Sequence, residues 1–203
     1  PGSICRTRIV AVVPAGTSVV PDGVQYPCVV KPLVLSGSRG VVRADDAAAL
    51  TAALARVSGI LASPDVREQR DVAASQLLVE GYVDGHEFAV EGLMVRGAFH
   101  TLAIFDKPDP LVGPFFEETI YVTPTASTAV HGAALSAAVA ETARHVGLWH
   151  GPVHAECRVS PDGVFVLEAA ARPIGGLCAR AVRVEGGLPL EQVLLAHALG
   201  AGV

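Results

Sequence analysis

Two glutamates, Glu156 and Glu168, flank a tight-turn signal at Pro161-Asp162-Gly163, and their spacing sets two carboxylates opposite each other on a β-hairpin. Pro suits the first turn position and Gly the left-handed bulge position. That chemistry predicts a three-residue loop, a type I turn closed by a bulge, with Ser160 facing Val164. In this register Glu156 pairs with Glu168. Side chains alternate along a strand, so His154, Glu156 and Arg158 share a face with Glu168, Ala170 and Arg172. Ala155, Cys157, Val159, Phe165, Leu167 and Ala169 then make the core face. Opposed carboxylates with Cβ atoms about 5 Å apart destabilise a bare sheet. A divalent cation converts that repulsion into binding, and hard oxygen ligands suit Mg²⁺ held together with a phosphate-bearing substrate. Taken alone, the pair also reads as a solvated charged face beside Arg158 and Arg172. A two-residue turn would send the two acids to opposite faces.

Three other groups of residues could do chemistry. Lys31 closes an apolar run and is followed by the loop Ser36-Gly37-Ser38-Arg39-Gly40. A strand-end lysine beside a Gly/Ser loop can hold phosphate oxygens with its ammonium and with backbone N–H groups. The loop is neither a Walker A motif nor a dinucleotide fingerprint. Glu80 ends a second apolar run, and Tyr82 and Val83 follow it. An acid and an exposed backbone segment there can grip an adenine through its amino group and ring nitrogen. Lys107, followed by Pro108 and Pro110, ends a third strand pattern, with Glu117 and Glu118 ten residues on. The chain has two lysines against thirteen arginines, so each lysine asks for a reason.

The elements that must position these groups follow from periodicity and punctuation. Tyr26 to Val30, Val41 to Arg43 and Leu77 to Glu80 read as strands, and Glu87 to Val95 with Ala98 to Phe105 as a hairpin. Helices are expected at 46–57, capped by Asp45, at 64–74 with Pro64 in its first turn, at 129–146 and at 190–199. Pro1 to Gly23 holds one short apolar run, Ile9 to Val13. The order is strand–helix–strand and then an antiparallel sheet with helices, an α+β arrangement in two lobes.

Composition excludes several classes. A chain 51% hydrophobic and 17% charged is globular, and a net charge of −5 gives no basic footprint for nucleic acid. No apolar run approaches the roughly 18 residues that span a bilayer. Cys5, Cys28, Cys157 and Cys178 are far apart, without zinc spacing, and Cys28 and Cys157 sit in apolar strand patterns where buried thiols are usual. The expectation is a cytoplasmic protein with free thiols.

Four segments in order, VVKPLVLSGSRGV, LLVEGYVDGHEF, FDKPDP with FFEE, and HAECRV with VFVLEAAARPIGG, resemble the ATP-grasp superfamily over about residues 26 to 200. The resemblance is to its carboxylate–amine ligases acting on amino acids. It implies an α+β ATP-grasp fold whose two lobes grip a nucleotide between antiparallel sheets. Residues 1–23 would be a linker or remnant, 24–84 the small lobe with the phosphate lid, and 85–203 the large lobe with the metal site. By the resemblance, Lys31 contacts ATP phosphates and Ser36, Gly37, Ser38, Arg39 and Gly40 form the lid over them. Glu80 stands at the adenine hinge, Tyr82 and Val83 offer backbone contacts, Glu87 holds the ribose and Lys107 lies beside the nucleotide. Glu156 and Glu168 ligate one or two Mg²⁺ ions, with Glu168 bridging. Arg172 stabilises the transferred phosphoryl group, and Gly175 and Gly176 shape the substrate loop. The activity implied joins a carboxylate to an amine with ATP through an acyl phosphate; the rival is an ATP- and Mg²⁺-binding domain that does not catalyse by itself. Two departures stand out. Ala170 occupies a position where the family often has a third ligand, Asn, with His154 across the strand. The chain is expected to begin mid-protein, without the domain that normally precedes the grasp lobes, so a further domain or partner chain is expected, and an uncovered docking surface would favour self-association.

Overall fold

The computed structural model describes residues 5–6, 9–116 and 119–201. It divides into two units: the described residues of Pro1–Arg6, Asp84–Asp109 and Ile120–Val203, and those of Thr7–Val83 and Pro110–Thr119.

In the first unit the alternation of segment 86–107 gives β6 (His86–Val95) and β7 (Ala98–Lys107), turned through Arg96-Gly97. With β8 (Gly151–Ser160), β9 (Gly163–Ala170) and the short β1 (Cys5–Arg6) they form a sheet in the order β1-β9-β8-β6-β7. It is antiparallel except at the β1–β9 edge. Helix α3 (Ala126–His145) starts at a capping box between Thr125 and Thr128 and covers one face. That face is Phe88, Val90, Met94, Val153, Ala155 and Cys157, packed on Leu135, Val139 and Ala143. The opposite face packs Ala89 and Phe105 on Ile174, on Val182 beside α4 (Gly176–Ala181), and on Leu190 of α5 (Leu190–Ala198). β6 is therefore buried on both faces, although Glu87 and Glu91 alternate with its apolar residues.

In the second unit β2 (Ile9–Pro14), β3 (Cys28–Pro32), β4 (Val42–Ala44) and β5 (Gln76–Gly81) form an antiparallel sheet in the order β2-β5-β3-β4. The apolar run at Ile9 is thus a strand paired with β5. Helix α1 (Ala47–Leu61) buries Leu50, Leu54 and Val57 on this sheet. Its N-cap is Asp46, not the expected Asp45, since the Asp46 carboxylate accepts the Ala49 N–H. The helix also runs one turn past its expected end, because Leu61 still has a core to enter. The continuous helix expected over 64–74 is broken. Only α2 (Pro64–Arg67) is helical, and Arg70 turns left-handed at φ 53° before a 3₁₀ turn at Val72–Ser75. A β-branched, Gln- and Ser-bearing stretch with one buried residue, Val66, lacks the apolar stripe that would hold a longer helix down.

Candidate functional site

In the first unit Glu156 and Glu168 are directly opposite each other. The route to that register differs from expectation. Ser160 pairs with Gly163, so the turn is the two residues Pro161 and Asp162. A bulge at Leu167 then takes up one residue between the Cys157–Val166 and Glu156–Glu168 pairs and restores the opposition. Between turn and bulge the shorter turn reverses the expected faces. Val164 and Val166, not Phe165 and Leu167, join Cys157 and Val159 on the core side, and Phe165 lies opposite Arg158. β9 ends at Ala170, so Arg172 stands beyond the strand rather than on its acidic face; it is exposed and donates from Nη1 to the Pro173 carbonyl at 3.1 Å.

The face that carries Glu156 is charged and largely enclosed. Lys107 Nζ lies 2.8 Å from Glu87 Oε1 and 3.0 Å from Glu156 Oε1, and its ammonium sits over the Tyr121 ring. Arg158 Nε donates to Glu87 Oε2 at 2.9 Å. Lys107, Glu87 and Arg158 are all buried, so removing one partner would strand a charge away from water. His154 donates from Nδ1 to the Glu91 carboxylate, and its Nε2 is 3.9 Å from Glu156 Oε1. Ala170 faces His154 across the strands, as the hairpin register leads one to expect. At the strand ends, His86 Nε2 meets Asp106 Oδ1 at 2.5 Å while Thr125 donates to Asp106 Oδ2 at 2.9 Å, which joins β6, β7 and the start of α3. Glu168 is exposed, and no cation pairs with it among the described residues. Behind the pair, burial and the fields of Glu156 and Glu87 push the Cys157 thiol up to about 12, so it is an inert core group. Cys28 and Cys157 are free thiols. Among the described residues no helix is long and apolar enough to cross a membrane.

In the second unit Lys31 and Glu80 are diagonal neighbours on β3 and β5, with Nζ 2.6 Å from Oε1. The Lys31 side chain keeps 22% of its surface and that of Glu80 8%, so the pair is open from the lysine side. The 36–40 loop is tightly turned: Leu35, Gly37, Ser38 and Gly40 all have positive φ. Gly40 is held to glycine by its φ of +86° and by Pro32, which a Cβ would approach to 3.2 Å. Arg39 points its guanidinium to Asp65 of α2 at 2.5 Å, an exposed pair. Tyr82 donates its N–H to the Pro27 carbonyl, and its ring packs under the Arg43 guanidinium and beside Phe116. Val83 follows it, half-buried. Glu117 and Glu118 lie outside the described residues.

The structure therefore gathers Glu87, Lys107, Glu156 and Glu168 in one unit, and Lys31, the 36–40 loop, Glu80 and Tyr82 in the other. Sequence reasoning passed over Glu91, Arg158's bond to Glu87, and Asp106. The signal for Glu91 was present: two acids four apart, on one face of an otherwise apolar strand, need cations or N–H groups to be buried there.

Comparison with known proteins adds a family. Residues 24–181 match the family described as ATP-grasp domain. The structure is similar to an L-amino acid ligase from Bacillus licheniformis, with a TM-score of 0.74 and 29% identity over 95% of this chain and 45% of that one. It shares its fold with the D-alanine–D-alanine ligase from Bacillus anthracis complexed with ATP, at TM-score 0.63 and 17% identity, covering 94% of this chain and 59% of that one. The fold is also that of the biotin carboxylase domain of 2-oxoglutarate carboxylase from Hydrogenobacter thermophilus, solved with MgADP and bicarbonate. There the TM-score is 0.62 and identity 14%, covering 88% and 38%. The chain thus spans less than two thirds of the length of each. No curated protein matches it in sequence.

Proposed function

This chain belongs to the ATP-grasp family, and from that premise we propose that it serves an ATP-dependent carboxylate–amine ligase forming an amide or peptide bond between amino-acid-like substrates. The observation that carries the reading is the cross-strand pair Glu156–Glu168, two hard oxygen donors on one face with Glu168 open to solvent. Mg²⁺ typically takes one or two carboxylates together with substrate phosphates, and this donor set fits it. Bound there, the ion would supply neutralisation of the phosphate oxygens.

The chain's own residues do the positioning. Lys31, turned from Glu80, would meet phosphate oxygens, and the 36–40 loop would close its backbone over them. Glu80 with the backbone of Tyr82 and Val83 would hold the adenine. Glu87 would receive the ribose, and Lys107 would keep Glu87 and Glu156 fixed between its two bonds. A substrate carboxylate oxygen attacks the γ-phosphorus, the bond to the ADP oxygen breaks, and an acyl phosphate forms. The amine then attacks the acyl carbon, phosphate leaves, and the amine proton passes to solvent. Arg172, exposed after β9, would bind the transferred phosphoryl oxygens. Most of the rate enhancement asked of such a site is orientation and charge stabilisation, so no nucleophilic side chain is required.

Ala170 favours a second reading, since it offers no third ligand, and among the described residues no group of three acids, histidines or cysteines could hold a metal. Under that reading the chain binds MgATP without turnover. One experiment separates the two: the melting shift of this chain with ATP and Mg²⁺, beside Glu168→Gln, followed by ADP release on adding amino acids. Stabilisation that needs Mg²⁺ and Glu168, with amino-acid-dependent ADP, supports the ligase. Stabilisation without ADP release supports the binding domain, and no stabilisation sinks both.

A further inference from the structure

Glu91 takes no part in the nucleotide and metal roles assigned above. It is 2% exposed, in the middle of β6, on the face away from α3. Both of its oxygens are used: Oε1 accepts from His154 Nδ1 on β8, and Oε2 accepts the Ile174 N–H at 2.9 Å, 83 residues away in sequence. Ile174 is itself buried and lies two residues after Arg172 and directly before Gly175-Gly176. A buried carboxylate is costly unless its oxygens are bonded, so these two contacts are the condition for Glu91 being there at all. The backbone around Glu91 is shaped for the purpose. The β6–β7 register shifts between Glu91 and Gly92, and a Cβ at Gly92 would lie 2.4 Å from the Phe99 ring, so only glycine fits that bend.

We propose that Glu91 is a positioning residue, which pins the backbone after Arg172 and the His154 ring to one buried carboxylate and so fixes the Arg172–Gly176 segment relative to the Glu156–Glu168 pair. The role of Arg172 in phosphoryl transfer rests on the ligase reading; the tether itself does not. Arg172 has no strand to hold it, since β9 ends two residues earlier, and its own hydrogen bond is local, to Pro173. The Ile174–Glu91 bond is a fixed point between that arginine and the sheet. His154 extends the same point toward Glu156, whose Oε1 lies 3.9 Å from its Nε2.

Two measurements test this. The first is hydrogen exchange of the Ile174 amide in the 203-residue chain, read by NMR. It should be slow in the unsubstituted protein, and at least tenfold faster in Glu91→Ala while the β8–β9 hairpin keeps its protection. The second is amino-acid-dependent ADP release. Misplacing a reacting group by about 1 Å costs on the order of 100-fold, so Glu91→Ala should lose about that much in kcat while KM for MgATP stays within about threefold. Glu91→Gln keeps an acceptor for the Ile174 N–H and can donate its amide to His154 Nδ1, so it should restore kcat to within about tenfold of the parent. The tether is overturned if exchange of the Ile174 amide is unchanged in Glu91→Ala. A positioning role is overturned if Glu91→Gln is as impaired as Glu91→Ala, which would assign the effect to charge. If the unsubstituted chain releases no ADP, the ligase reading fails, while the exchange result still decides the tether.

Discussion

The chain's two lysines end in opposite circumstances. Lys107 is 5% exposed and shared between Glu87 and Glu156, with Arg158 completing a largely buried assembly of two cations and two carboxylates. Lys31 pairs with Glu80 and keeps 22% of its side-chain surface. A lysine closed in between two acids cannot leave without stranding charge. One that meets its acid from the solvent side can turn from it toward a phosphate at small cost, because water reaches both groups during the exchange. Lys107 is accordingly part of the framework that holds the acidic face, and Lys31 part of what is offered to a ligand.

The largest effect should therefore fall on the lysine farther from solvent. Lys107→Met leaves Glu87 and Glu156 facing each other without their shared cation, and breaking one partner of a buried pair costs about 3–5 kcal/mol. Chemical unfolding should show that loss in the absence of any ligand. A cost below about 1 kcal/mol would erase the distinction between the two lysines. Glu168→Gln comes next and acts the other way. An exposed glutamate should change ligand-free stability by no more than about 0.5 kcal/mol. The stabilisation by MgATP, about 2.7 kcal/mol at a hundredfold excess over the dissociation constant, should disappear. If Glu168→Gln keeps that stabilisation, Glu168 is no metal ligand. Third, Lys31→Met should weaken MgATP by about tenfold to a hundredfold, the worth of one charge-assisted hydrogen bond. Calorimetric titration gives this directly, and unchanged affinity would place the phosphates elsewhere.

How legible was this in the sequence? Most strands and the Glu156–Glu168 opposition were, because alternation and a Pro-Asp-Gly turn are local signals; β2 showed only as an apolar run, since its partner β5 lies far along the chain. The turn itself was misread by one residue, and Leu167 bulges out to compensate, which no local rule announces. The ends of helices were less legible. The expected cap, Asp45, gives way to Asp46, whose carboxylate the backbone brings to the Ala49 N–H, and Leu61 extends α1 only because a core awaits it. Pairing at a distance was not legible at all. Glu91 finds Ile174 across 83 residues, Glu87 finds Arg158 across 71, and Lys107 finds Glu156 across 49. The two charge partners are chosen by sheet order, β8 beside β6 and β6 beside β7, and Ile174 by the path of the chain after β9; charge alone would have permitted many others.

The smallest expected effect concerns the loop that follows Lys31. Arg39 in that loop bonds Asp65, and this bond, with a second from Ser63, holds the Asp65 carboxyl well below the usual carboxylate range. A carboxyl depressed in the folded state stabilises the fold above its unfolded value, about 3.9, and that contribution is lost as pH falls further. The pair is solvent-exposed, so side-chain entropy and screening leave little of it. The melting difference between the parent and Asp65→Asn should be small and level from about pH 5 to pH 8, should shrink on acidification below about pH 4, and should fade in high salt. A difference that grew on acidification would mean the bond does not hold in solution. Arg39 would then be available to meet a ligand, and the loop would belong with the accessible lysine rather than serve as its anchored neighbour.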